Sequence, residues 1–341
     1  MVICLRFLAL VLFASTVHAQ SVRVLSDRTL TGEAALVHDV RWASKDALYV
    51  TSYSSGVLQV GADSGAVQRV GFAEPGRRCP SCVLLGVSDT HIVTSFPVYK
   101  LAWKQTTKPR IHTFVFDAVV DLDVHDDRLL ILGSRTEDEK WAPDGAVAWV
   151  GSLQSDLKDL RPVLYSSRGP KEMTVARCGF LEPGAARFFE DGSYVVVPGF
   201  EPDAYLYDRT GKLIHTWQTA KLGFLDRCEL PEPQVQALSA DPEQRALWRS
   251  KRILIDDVLP TRAGPALLLH RVQKGVAHWT MLILHRDRPP SRIELPFTAP
   301  SDVASLRADI HGNRIAFLIR TFGEWRDTKP APSRLIIAEL R

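Results

Sequence analysis

One pattern recurs six times along this chain, and it leaves few folds open: a short apolar run, a tight polar turn, and a second apolar run. Val40-Arg41-Trp42 turns at Ser44-Lys45-Asp46 into Leu48-Tyr49-Val50. Leu84 to Val87 turns at Ser88-Asp89 into Ile92-Val93, and Val120 to Val124 turns at Asp126-Asp127 into Leu129 to Leu132. Arg187-Phe188-Phe189 turns at Glu190-Asp191-Gly192 into Tyr194 to Val197. Val258-Leu259 turns at Arg262-Ala263-Gly264 into Leu267 to Leu269, and Leu306 to Ile310 turns at His311-Gly312-Asn313 into Ile315 to Ile319. The runs are rich in β-branched and aromatic residues and too short for amphipathic helices, so each unit reads as a β-hairpin.

Further strands follow these hairpins. Val57 to Val60 passes through Asp63-Ser64-Gly65 to Val67 to Val70. Tyr205-Leu206-Tyr207 continues to Leu213 to Trp217, and Thr280 to Leu284 to Ile293-Glu294-Leu295. Four antiparallel strands repeated radially make a propeller blade. The expected fold is therefore all-β: a six-bladed β-propeller in one domain over residues 20–341. Spreading those residues over six units gives about 54 each, longer than the common blade repeats, so insertions are needed. One is the polar stretch Glu137 to Gly145. The other is Pro231 to Lys251, a short helical insertion between blades four and five, with Asp241 as N-cap, Pro242 at the first helical position and Gln244 in a capping-box position. Edge protection is its favoured role, a lid the alternative. Ser21 to Leu25 at one end and Leu335 to Leu340 at the other are expected to pair and close the ring.

Leu206-Tyr207-Asp208-Arg209-Thr210-Gly211-Lys212-Leu213-Ile214 resembles the outer hairpin of NHL-type and related six-bladed propellers, and Val60 to Val70 carries a looser version. The resemblance spreads over residues 21–341 and implies the architecture. Propellers host enzymes, receptors and scaffolds alike, so it implies no activity.

The first segment reads as an address. Arg6 precedes an apolar run from Phe7 to Val17, and Val17-His18-Ala19 fits a small-residue cleavage site, giving a signal peptide over residues 1–19. The expected location is the periplasm or the outside of the cell, with no transmembrane segment after cleavage. Cys79, Cys82, Cys178 and Cys228 remain beyond that segment. An even number in an exported chain points to disulfides, and the favoured connectivity is Cys178–Cys228 with Cys79–Cys82. The Cys79-Pro80-Ser81-Cys82 motif could instead be a redox pair, but it precedes a strand rather than opening a helix, which favours a structural bond. Lys plus Arg number 42 against 39 Asp plus Glu. So balanced a charge carries no nucleic-acid footprint, and a monomer is expected.

The candidate site lies on the axial channel, at the loops entering the innermost strands. His38, Asp39, Asp121, Arg187 and Asp257 are the ligand candidates, with Asp123, Asp256, Asp309 and His311 nearby in the pattern. Asp39, Asp121 and Asp257 could hold a divalent metal such as Ca²⁺ through hard oxygen ligands; the competing reading has them satisfying strand-end backbone groups. Metal-dependent propeller lactonases resemble this architecture but use acidic and amide ligands, and asparagine here is confined to the turn residue Asn313. No cofactor is required by any motif. The tryptophans, spread one or more to a blade, read as inter-blade packing rather than aromatic platforms. The favoured function is a binding or scaffold propeller for a protein, peptide or glycan, an enzyme being less favoured. The alternative is a metal-assisted hydrolase or lyase with an axial site.

Overall fold

A computed structural model describes residues 20–52, 55–70, 84–96, 100–105, 108–113, 118–134, 136–137, 140–141, 145–155, 157–165, 184–199, 203–219, 230–300, 304–321 and 331–341. The signal-peptide segment and all the cysteines, including both expected disulfides, lie outside the described residues.

The chain opens with β1 (Val22–Thr29) and a single 3₁₀ turn at Gly32–Ala34. Then come β2 (Val37–Ser44), β3 (Ala47–Ser52), β4 (Gly56–Gly61) and β5 (Val67–Arg69), followed by β6 (Leu85–Val87), β7 (His91–Phe96), β8 (Lys100–Gln105) and β9 (Lys108–Thr113). Next are β10 (Ala118–His125), β11 (Arg128–Ser134), β12 (Thr136–Glu137), β13 (Lys140–Trp141), β14 (Ala146–Ser152) and β15 (Arg161–Tyr165). The second half holds β16 (Gly184–Phe188), β17 (Tyr194–Pro198), β18 (Ala204–Tyr207), β19 (Leu213–Trp217), helices α1 (Glu232–Ala240) and α2 (Pro242–Ser250), β20 (Ile253–Thr261), β21 (Gly264–Gln273), β22 (Val276–Ile283), β23 (Ser291–Ala299), β24 (Ala304–His311), β25 (Arg314–Thr321) and β26 (Arg334–Leu340).

Among the described residues these strands pair into four-stranded antiparallel sheets: β2–β5, β6–β9, β10-β11-β14-β15, β16–β19, β20–β23, and β24-β25-β26 completed by β1. Five are described with side chains in all four strands; in β6–β9 side chains are described only up to Thr94. Each innermost strand packs beside the next, from β2 through β6, β10, β16, β20 and β24 back to β2. The fold is an all-β propeller.

Local patterning explains where each strand sits. Tyr194–Pro198 is apolar along its length and buried on both faces, as a strand between neighbouring sheets must be. Ser291–Ala299 instead alternates, with Ile293, Leu295, Phe297 and Ala299 inward and Arg292, Glu294 and Thr298 outward, as suits an outer strand with one wet face. Apolar clusters lie between neighbouring sheets: Trp279, Phe297 and Phe317 join β20–β23 to the last sheet, and Leu58, Val60, Leu318 and Ile337 join the last sheet to the first. Trp149 packs between the sheets of β6 and β10, and Trp217 between those of β16 and β20, matching the packing role expected for the tryptophans.

The termini meet as expected. Val22 pairs with Leu340 and Thr29 with Arg334 across β1 and β26. The expected helical insertion is two helices rather than one. Asp241 ends α1 and caps α2, its carboxylate accepting the N–H groups of Glu243 at 3.0 Å and Gln244 at 3.1 Å, and Pro242 has no N–H with which to continue the preceding helix. Val235, Leu238 and Trp248 pack on the apolar cluster between β10–β15 and β16–β19, so the pair covers core. The expected loop at Glu137 holds a small hairpin, β12 with β13. No helix among the described residues is long and apolar enough to cross a membrane.

Candidate functional site

Charged residues two apart on otherwise apolar innermost strands share one face, and here that face is the axis. Strand β2 brings Asp39 and Arg41, β10 brings Asp121 and Asp123, β16 brings Arg187, β20 brings Asp257, and β24 brings Arg307 and Asp309. Asp39, Asp121, Arg187 and Asp257 are almost wholly buried.

Arg187 is the hub. Its Nη1 donates to Asp121 Oδ2 at 2.5 Å and to the Ala186 carbonyl at 2.7 Å, and its Nη2 donates to Asp257 Oδ1 at 2.6 Å. Arg41 repeats the arrangement on β2, across the ring from β16, with Nη1 donating to Asp39 Oδ1 at 2.8 Å and to the Val40 carbonyl at 2.7 Å. Arg307 Nη1 reaches Asp121 Oδ1 at 3.4 Å.

The carboxylates also clamp neighbouring sheets. Asp39 accepts the Leu85 N–H at 2.9 Å, and Asp121 and Asp123 accept those of Ala186 at 2.9 Å and Phe188 at 2.8 Å. Asp256 and Asp257 accept the N–H groups of Leu306 and Ala308, both at 2.9 Å, and Asp309 accepts that of Trp42 at 2.7 Å. Each carboxylate thereby pairs a backbone donor on an innermost strand, the edge of its sheet, which has no further strand to bond it. Asp256 faces away from the axis, taking the Trp279 indole N–H at 2.7 Å, with His270 Nδ1 at 3.6 Å.

Burial sets the protonation preferences, and the arginines correct them. Desolvation pushes Asp123 and Asp257 up, against the pull of Arg187 on both. Asp309 is pushed up to about 6 by burial, with Arg41 and the Trp42 N–H pulling the other way. Asp39 is also penalised by burial, yet Arg41, Arg307 and Arg187 together hold it below the usual carboxylate value. Burial disfavours the charge on Arg187 too, but Asp121 and Asp257 more than restore it. His38 lies off this network. Burial first, then Arg320, depresses its imidazole to about 3, and its carbonyl accepts Arg320 Nη1 at 2.9 Å.

A cavity of about 820 Å³ opens over this floor. Arg41, Asp123, Arg187 and Asp309 line it, while Asp39, Asp121 and Asp257 lie one tier deeper. Trp42, Phe188 and Trp217 form walls, and turn residues Glu190, Asp191, Arg262 and His311 form the rim. Those turns leave the innermost strands, so the cavity sits at the opposite mouth from the strand-entering loops where the sequence places a site. The expected candidates do converge on the axis, except His38. The metal candidates Asp39, Asp121 and Asp257 meet there as arginine and backbone partners, and among the described residues no group of three His, Cys, Asp or Glu side chains is arranged to hold a metal ion. Sequence reasoning missed Arg41 and Arg307; their signal was a charge two residues from an aspartate inside an apolar strand.

No protein-family model matches the chain, and no curated protein sequence matches it. Solved structures do. The structure of U3-55K is similar with TM-score 0.50 at 10% identity, covering 92% of this chain and 98% of that one. A catalytically inactive virginiamycin B lyase from Staphylococcus aureus, solved with quinupristin, is similar with TM-score 0.50 at 10% identity, covering 94% of this chain and 100% of that one. At such identity the likeness bears on the fold alone.

Proposed function

We propose that the protein is an exported, six-bladed binding propeller that takes a protein, peptide or glycan segment into the cavity at the exits of its innermost strands. The observation that carries this reading is the cavity itself. At about 820 Å³ it lies within the ~300–1,000 Å³ of small-molecule pockets, and its floor is a set of charged side chains hydrogen-bonded to deeper carboxylates and to backbone groups. The blade count rests on counting β6–β9 as a blade, between β2–β5 and the sheet of β10. Export rests on Arg6, the apolar run to Val17 and the Val17-His18-Ala19 site. The carboxylates most suited to acid–base or metal chemistry are committed to guanidinium and backbone donors, which favours recognition over catalysis.

The test is a screen of residues 20–341 on peptide and glycan arrays, run beside an Ala263→Trp variant. Ala263 lies on a turn lining the cavity and packs partly on the apolar cluster beneath it, away from the charged floor, so an indole there narrows the mouth. Array signals that disappear in the variant, with an unchanged melting temperature, support the reading. No signal, or signals that survive the indole, overturn it.

A further inference from the structure

The charges on the axis do not cancel, and the surplus faces the cavity. Asp39, Asp121 and Asp257 lie beneath the floor and are matched by Arg41, Arg187 and Arg307. Arg41 donates to Asp39, Arg187 to Asp121 and Asp257, and Arg307 to Asp121. Three guanidiniums are thus taken up by three carboxylates. Arg320 and Asp256, off this tier, add one charge of each sign. Asp123 and Asp309 are left over, and both line the cavity.

Their hydrogen bonds come from neutral backbone. Asp123 Oδ2 accepts the Phe188 N–H at 2.8 Å, and Asp309 Oδ2 that of Trp42 at 2.7 Å. Arg41 Nε stands 3.9 Å from Asp123 Oδ1, beyond hydrogen-bond reach, and its guanidinium is already bound to Asp39. Asp309 Oδ1 has no donor among the described residues. Burial raises both carboxyls, Asp309 to about 6, with Arg41 pulling it the other way and Asp123 adding to the push.

A cation supplies what these two carboxylates lack. At the rim Glu190, Asp191 and Asp287 stand against Arg262 and Arg286, so the mouth does not repel one. Among the described residues no group of three His, Cys, Asp or Glu side chains is arranged for a metal ion, whereas an ammonium needs only acceptors around its N–H donors. Strand periodicity puts Phe189 two residues beyond Arg187 on the same face, toward the mouth, and Ile310 follows Asp309. Both are partly buried and line the cavity, so an apolar stem has surface to lie on. A lysine side chain has such a stem; an amino sugar carries its ammonium on a ring of hydroxyls.

We infer that Asp123 and Asp309 bind a primary ammonium group, presented on the lysine side chain of a peptide that enters the cavity. This rests on the cavity's being a binding site and selects a basic peptide among its possible ligands.

The experiment titrates residues 20–341 calorimetrically at about pH 7.5, where Asp309 is ionised, with a capped lysine tripeptide, its norleucine and glutamate counterparts, and glucosamine. The lysine peptide should bind. Norleucine, which keeps the stem and loses the charge, should bind about tenfold more weakly or less, and the glutamate peptide not at all. Asp309→Asn keeps an oxygen for the Trp42 N–H and should weaken the lysine peptide by about tenfold while leaving the norleucine peptide unchanged, a selectivity that a merely structural loss would not produce. Asp123→Asn should do the same; should either variant fail to fold, the lysine-to-norleucine ratio on the parent still tests the inference. Equal binding of the lysine and norleucine peptides, both removed by Ala263→Trp, would overturn it and leave the binding cavity standing. Glucosamine binding more tightly than the lysine peptide would overturn the assignment to a peptide. No response to the lysine peptide up to about 10 mM would overturn it outright.

Discussion

Asp309, on the last innermost strand, accepts the backbone N–H of Trp42, on the first, at 2.7 Å. The same pair meets again where the Trp42 indole N–H donates to the Asp309 carbonyl at 3.2 Å. Ring closure therefore has a component at the axis besides the β1–β26 pairing at the rim.

That component titrates. Burial raises Asp309 to about 6, against an ordinary 3.8, so between those values the folded protein holds a proton the unfolded chain has released. The stability this contributes is complete below the ordinary value and is lost as pH rises through about 6. Asp309→Asn removes the charge while its amide oxygen keeps the Trp42 N–H. The variant should melt higher than the parent at about pH 8, and the gap should shrink at about pH 5. Melting curves across pH check this; a pH-independent difference would count against the assignment.

Arg187 stands between two buried carboxylates, Asp121 and Asp257. Arg187→Met leaves both without their main countercharge and should cost ~3–5 kcal/mol in denaturant unfolding. Adding Asp121→Asn and Asp257→Asn should recover much of the loss. A single variant as stable as the parent would mean the network is not what holds the axis.

Gly264 opens β21 with φ +135°, and a Cβ built there would lie 2.1 Å from the Leu284 carbonyl oxygen. Gly264→Ala should therefore destabilise by at least ~2 kcal/mol. Alanine at Gly312, where φ is also positive but nothing lies within 4 Å of the added Cβ, should cost less. Thermal unfolding of the two variants side by side checks the order.

A chain starting at residue 30 lacks β1. It loses the Arg334–Asp27 ion pair and leaves β26 with an unpaired edge. It should melt lower and self-associate through that edge, which size-exclusion chromatography would reveal.

Much of this fold was legible because its strands are short, apolar and punctuated by polar turns. Tyr194 to Val197 and Leu267 to Leu269 can be little else than buried strands, and Asp208-Arg209-Thr210-Gly211 than a turn. The insertion was legible in kind, and its break at Asp241 follows from Pro242, which read only as a helix start. The site was half legible. Asp39, Asp121, Arg187 and Asp257 stood out as charges in apolar surroundings, yet their partners lie on strands far apart in sequence. Arg187 meets Asp257 across 70 residues, and Arg307 meets Asp121 across 186. Local spacing carries no information about such meetings, so a carboxylate set read equally well as a metal site or as half of an ion-pair network.

The carboxylate clamps also give the ring a grain. Around the axis they run from β2 to β6, from β10 to β16, from β20 to β24 and from β24 back to β2, while Arg187 spans from β16 to β20. Between β6 and β10 the described residues place no charge of this kind; Gly86 instead lets the strands approach, with a Cβ there falling 2.7 Å from Val124 Cγ2. The seam of this propeller is therefore not where its chain ends meet. Breathing motions should start a third of the way along the polypeptide, at a joint held among the described residues by close fit and neutral hydrogen bonds such as Ser88 Oγ to the Asp126 carbonyl at 2.7 Å, while the terminal joint stays shut.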